Sequence, residues 1–132
     1  VNYLIDTHVL LWAITEKDKL SDTVIEILEN GRNNIFVSAI SFWEVSLKYS
    51  IGKLNITGFL PDQLPGLATE IGFKLVSLSP AESATYHQFT ATGHRDPFDG
   101  MLMWQAIQQN LILVSKDRSI GQYKSAGLKV IW

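Results

Sequence analysis

Short, nearly continuous apolar runs alternate along this chain with stretches whose apolar residues recur at helical spacing. Tyr3-Leu4-Ile5, Ile35-Phe36-Val37, Leu75-Val76-Ser77-Leu78, Leu111-Ile112-Leu113-Val114 and Val130-Ile131-Trp132 read as five strands. Because they lack strict apolar–polar alternation, they predict strands buried on both faces, as in a parallel sheet. Between them, residues 23–30 repeat apolar side chains at Val24, Ile27 and Leu28, and Gly31 follows where a left-handed helix cap would sit. Ser41-Phe42-Trp43-Glu44 and Ser79-Pro80-Ala81-Glu82 both match the capping-box pattern, and Asp96-Pro97 supplies an N-cap followed by proline at the first helical position. A further helix is expected over 62–72, with loops at 51–60 and 90–95. Strand–helix alternation throughout predicts an α/β fold: one α/β/α sandwich around a central, mostly parallel five-stranded sheet. The pattern leaves the strand order open.

Composition narrows the class. With 132 residues, 46% of them hydrophobic and 18% charged, the chain is read as one folded domain over 1–132, with enough apolar surface left to serve a partner. The absence of cysteine excludes a disulfide framework and thiolate chemistry. Val9 to Ile14 is too short an apolar stretch to span a bilayer, so no membrane association and a cytoplasmic location are expected. A net charge of −2 gives no general pull on nucleic acid, so any such binding must come from local basic residues.

Four acids then change the picture. Asp6 closes the first strand, Glu44 and Asp99 fall at two helix starts, and Asp117 follows the fourth strand. In open α/β sheets the carboxyl ends of strands and the adjoining helix starts form one crevice, where distant segments meet. Each acid also has a purely structural explanation. Glu44 fits a capping box with Ser41, Asp99 is a favourable first-turn charge, and Asp117 suits a turn. Asp6 is harder to explain this way, since a carboxylate ending a buried strand needs a cation or donors to offset its desolvation. Hard oxygen ligands without cysteine or spaced histidines favour Mg²⁺, with Mn²⁺ as substitute, over zinc. His8 and His94 are candidate loop contacts, not a metal pair.

Asp6-Thr7-His8 after an apolar strand, Phe42-Trp43-Glu44, His94-Arg95-Asp96-Pro97-Phe98-Asp99 and Ser115-Lys116-Asp117 together resemble PIN-domain ribonucleases, and within them the VapC-type toxins of toxin–antitoxin pairs. The resemblance runs from Asn2 to Trp132 and is most specific from His94 to Asp99, continued by Leu102, Gln105 and Ala106. It implies that Asp6, Glu44 and Asp99 form the core of a metal site, that Asp117 is a fourth and more variable acid, and that Asp96 caps its helix. Two positions depart from the pattern: Gly100 replaces a frequent arginine, and Trp104 replaces a small residue.

The implied chemistry is hydrolysis of RNA phosphodiester bonds by metal-activated water, with all four acids catalytic. Asp6 and Asp99 are expected as direct ligands, Glu44 beside the attacking water, and Asp117 on a second ion or water. Thr7 and Ser115 are expected to hydrogen-bond to these groups. Arg95, Lys116 and Arg118 are candidate RNA contacts, with Lys48 and Lys53 as an extension from the Glu44 helix. Partners implied by the resemblance are an RNA substrate, a cognate antitoxin and a second copy of the chain. Trp12 and Trp43 supply apolar surface for such contacts. A catalytically silent PIN-like binding module and a receiver-like phosphoacceptor domain are the alternatives. The receiver pattern wants paired acids after the first strand, where this chain has Thr7-His8.

Overall fold

A computed structural model describes residues 1–89 and 96–132. Five strands, β1 (Asn2–Ile5), β2 (Asn34–Ser38), β3 (Lys74–Val76), β4 (Ile112–Val114) and β5 (Lys129–Ile131), form one sheet in the order β3-β2-β1-β4-β5. All four pairings are parallel. The helices are α1 (Thr7–Thr15), α2 (Asp22–Glu29), α3 (Ala39–Ser50), α4 (Leu64–Glu70), α5 (Pro80–Thr85) and α6 (Pro97–Gln108), with a 3-10 segment at Arg118–Ala126. The expected sandwich is present, and its sheet is wholly parallel among the described residues. The order differs from the 2-1-3-4-5 arrangement of receiver-like domains, which removes that alternative on topology.

Successive residues of a strand point to opposite faces, and the core divides accordingly. Tyr3 and Ile5 of β1, with Ile35 and Val37 of β2, join Val9, Leu10, Val24, Ile27, Leu64 and Ala68 from α1, α2 and α4. Leu4 and Leu113 face the other way, onto Leu102, Met103 and Ala106 of α6 and Ile120 and Tyr123 of the 3-10 segment. Trp104 is buried in this second layer, stacked with Phe89, so its bulk is taken up by the core.

Several expectations need correction, among them the left-handed cap at Gly31, whose φ is not positive. The third strand covers only Lys74–Val76 at the sheet edge, and Leu75 is 48% exposed, so it is not buried on both faces. Among the described residues β2 is its one neighbouring strand. The Ser41–Glu44 capping box does not form. Helix α3 starts earlier, where Ser38, at the very end of β2, accepts from Ile40 N–H, which places Glu44 in the second turn. His8 lies on α1, not in a loop. The Ser79–Glu82 box does form, with both hydrogen bonds in place, and Asp96 caps α6 by accepting from Phe98 and Asp99 N–H.

Candidate active site

The strand order reverses direction between β1 and β4, and at this switch point the chain leaves the two strands toward opposite faces of the sheet, which makes a crevice at their carboxyl ends. Asp6 follows β1, with its N–H donating to Val114 O at 3.1 Å across the switch. Asp6, Asp99 and Asp117 line one cleft of about 320 Å³ there, together with His8, Trp12 and Lys116. Three of the four predicted acids therefore share one cavity. They arrive on different elements: the β1–α1 junction, the first turn of α6 and the segment after β4.

Asp6 is 6% exposed and also caps α1, accepting from Val9 N–H at 2.8 Å. Burial lifts its carboxyl above the ordinary carboxylate value. The hydrogen bonds from the Ser115 hydroxyl and Val9 N–H, and the charge of His8, pull the other way, while the nearby Glu44 charge adds to the rise. The sequence-predicted partner Ser115 thus sits on Asp6, and its oxygen also accepts from Asp117 N–H at 3.2 Å.

Glu44 does not line the cleft wall but stands behind it. Thr7 Oγ1 donates to Glu44 Oε1 at 2.6 Å and lies 3.0 Å from Ser41 Oγ. The other carboxylate oxygen is paired with the Lys48 ammonium, one helical turn further along α3. Burial opposes the charge on Lys48, yet the hydrogen bond and charge of Glu44, joined by the charges of Asp96 and Asp99, carry its pKa above the ordinary lysine value. Lys48 is therefore the resident cation among these carboxylates rather than a free phosphate contact. Reading its charge as an outward RNA track missed this; the i, i+4 spacing from Glu44 was the available signal.

Asp117 differs in kind. It is exposed and caps the 3-10 segment, accepting from Ser119 N–H at 3.0 Å and Ser119 Oγ at 2.7 Å. Lys116 and Arg118 flank it in the open, and Lys116 stands 5.7 Å from the centre of the Trp12 ring. Predicted contacts Arg95 and His94 lie outside the described residues. Lys53 lies beyond the end of α3 and lines neither this cleft nor the cavity beside it.

Gly100 has a packing reason. A β-carbon there would meet the Tyr86 hydroxyl at 2.2 Å, so the glycine lets the first turns of α6 seat against that ring. The departure at this position serves the protein's own interior.

As a metal site the donor set fits in kind, being all oxygen and facing one cavity. Among the described residues, however, no three of the histidine, aspartate and glutamate side chains are close enough to hold an ion by themselves. Asp6 and Glu44 are turned onto partners inside the protein. Mg²⁺ keeps several of its waters and takes only one or two carboxylates directly, so a cleft with acids set apart suits it better than it would a tightly caged ion.

Comparison with known proteins gives this fold a family. The PIN domain family model matches residues 3–125, and the chain belongs to that family. Ribonuclease VapC22 of Mycobacterium tuberculosis is 25% identical over 129 residues, covering 98% of this chain and 97% of that one. Two solved structures share the fold at a TM-score of 0.69: VapBC2 from Rickettsia felis bound to a DNA fragment from their promoter, at 17% identity over 99% of this chain and 98% of that chain, and DNA-bound VapBC from Salmonella typhimurium, at 14% identity over 99% and 97%.

Proposed function

We propose that the chain is a Mg²⁺-dependent endoribonuclease that acts as the toxin of a toxin–antitoxin pair, with 1–132 as its single PIN domain. The observation that carries this reading is the meeting of Asp6, Asp99 and Asp117 in one cleft at the switch point of a PIN-family sheet. The likeness to a ribonuclease over nearly the whole of both chains supports the substrate class.

Asp6 and Asp99 would hold the ion, with Asp117 on a second ion or on its waters. When bound, a divalent ion neutralises the scissile phosphate and acidifies water, which is the chemistry hydrolysis needs. The chain's own residues prepare for it. Ser115 and Val9 N–H fix the Asp6 carboxylate, and the Asp96 cap aims the first turn of α6, which carries Asp99. Thr7 and Lys48 hold Glu44 in one orientation behind the cleft, from where its charge bears on Asp6. Lys116 and Arg118, exposed at the open side, would take RNA phosphates.

For partners, we propose a cognate antitoxin and a second copy of the chain. Trp43 and Leu47 of α3, with Ile51 at its C-terminal cap, form an exposed stripe at i, i+4, i+8 spacing, and Trp43 is 60% exposed. Apolar surface of this kind suits a protein contact. Among the described residues no helix is long and apolar enough to cross a membrane. A cytoplasmic location is the reading consistent with a nuclease acting on cellular RNA.

A silent binding module remains the second reading, favoured by the wide spacing of the acids and the internal pairing of Glu44. Purified protein incubated with total RNA separates the two. Cleavage with Mg²⁺ or Mn²⁺, reversible arrest by EDTA and poor turnover with Ca²⁺ are expected of the nuclease. Stabilisation by Mn²⁺ without cleavage of any RNA supports the silent module. Undiminished cleavage in excess EDTA overturns the metal-dependent reading.

A further inference from the structure

Beside the acidic cleft, on its β4–β5 side, lies a second cavity of about 270 Å³ that shares Lys116 and Asp117 with it. Its charge is inverted. The cleft sets Asp6, Asp99 and Asp117 against Lys116, whereas the second cavity sets Lys116, Arg118 and Lys124 against Asp117 alone. Among the described residues none of these three cations has an ion pair, although Lys19 and Lys48 do. The remaining wall includes apolar Val130, Ile131 and Trp132, and the Trp132 ring meets Trp12 edge-on at 6.0 Å between centres.

We propose that this cavity is a subsite for the nucleotide next to the scissile phosphate of a single-stranded RNA, its phosphate on Arg118, Lys124 and Lys116 and its base against Trp132. The inference rests on the ribonuclease reading above and adds the path of the substrate. A polyanion cannot settle in an acidic cleft on charge alone, so the neighbouring phosphate needs unpaired cations within one nucleotide's reach, and the shared wall provides them. An aromatic face with cations around it is the usual way to hold an unpaired base without reading its sequence. The opposite track along α3 is disfavoured because Lys48 is committed to Glu44.

Equilibrium binding of a fluorescent single-stranded RNA, measured by anisotropy in Ca²⁺ over a series of salt concentrations, tests the path. Arg118→Ala/Lys124→Ala is expected to weaken binding at least about tenfold and to lower the salt slope by about 0.7, from the one phosphate no longer neutralised. Trp132→Leu, which keeps apolar packing, is expected to weaken binding several-fold with the slope unchanged. Stabilisation of the fold by Mn²⁺ should be the same in both variants as in the wild type, because the acids are untouched. Wild-type binding that neither variant alters, or a slope that falls only with Lys53→Ala, overturns the subsite. A wild type that binds no RNA overturns the ribonuclease reading and the subsite with it.

Discussion

The two sides of the cleft are built on different principles. On the deep side Asp6 and Glu44 are buried, and their oxygens are held by Val9 N–H, Ser115, Thr7 and Lys48. On the rim Asp117 is exposed, bonded only within its own turn among described side chains, and flanked by open cations. Burying a carboxylate costs stability unless donors compensate, but it fixes the group's position and raises its electrostatic effect. An exposed acid costs little and positions little. The deep side is therefore suited to setting geometry, and the rim to admitting a substrate.

The comparison breaks first at Asp99 and Asp6. If Asp99 and Asp6 hold the ion as proposed, Asp99→Asn or Asp6→Asn is expected to lower RNA cleavage at saturating Mg²⁺ by at least about 100-fold, since each would remove a charged ligand with almost no change of shape. Asp6→Asn should leave metal-free thermal stability equal or higher, because asparagine caps α1 as well as aspartate and relieves a buried charge. Near-wild-type cleavage by purified Asp99→Asn would remove the ligand assignment. Lys48→Met should destabilise the fold by about 2 kcal/mol in urea unfolding, leaving Glu44 buried without its cation. That figure lies below the usual range for a fully buried pair because Lys48 is partly exposed. Adding Glu44→Gln should recover most of the loss, and if it does not, the ion pair is not what Lys48 contributes.

Much of the candidate site was legible because its residues sit where local signals are strong. Apolar runs mark strand ends, so Asp6 and Asp117 could be placed at the crevice from pattern alone. Asp96-Pro97 is a helix start that reads the same in sequence and structure. Glu44 was harder. Its S-x-x-E spacing imitates a capping box, while the actual cap, Ser38, belongs to the strand before it, and the hydroxyl that meets Glu44 comes from Thr7, a contact no local window contains. Gly100 is the same kind of case, since its reason is the Tyr86 ring in another segment. Strand order depends on how the layers pack, which a one-dimensional pattern does not carry, whereas the i, i+4 spacing of Glu44 and Lys48 does signal their pairing.

Glu82 offers a contrast to Glu44: it carries the same S-x-x-E motif, but here the capping box forms. Its carboxylate accepts from Ser79 N–H, Gln105 Nε2 and Gln109 Nε2, and Gln105 in turn accepts from Ser38 Oγ at 2.5 Å, tying α5 to α6 and β2. Burial opposes its charge, but these donors together hold its pKa below the ordinary value of 4.5. A depressed carboxyl contributes stability that is fully present above its unfolded-state pKa and is lost as pH falls through the folded one. Glu82→Gln should therefore lose about 1 kcal/mol at neutral pH, with the gap to wild type closing below pH 4.5. Urea titrations across that window measure it. A gap that persists unchanged at low pH would mean the network works through shape, not charge.

The smallest effects should come from Asp96 and Asp117, and they sharpen the comparison because both are caps with different neighbours. Asp96 accepts from Phe98 and Asp99 N–H, a task asparagine performs about as well, so Asp96→Asn should cost at most about 0.5 kcal/mol. Cleavage should then fall only a few-fold, far less than for Asp99→Asn. Asp117→Asn keeps its turn with Ser119 by the same reasoning but removes a charge from the cleft. Its stability should be unchanged while cleavage drops by an amount between those of Asp96→Asn and Asp99→Asn, and the drop should shrink as Mg²⁺ is raised if the lost charge acts on the ion's waters. Equal inactivation by Asp96→Asn and Asp99→Asn in one cleavage assay would move Asp96 into the metal-binding set. Full activity of Asp117→Asn at every Mg²⁺ concentration would confine the chemistry to the deep side and leave the rim to the substrate alone.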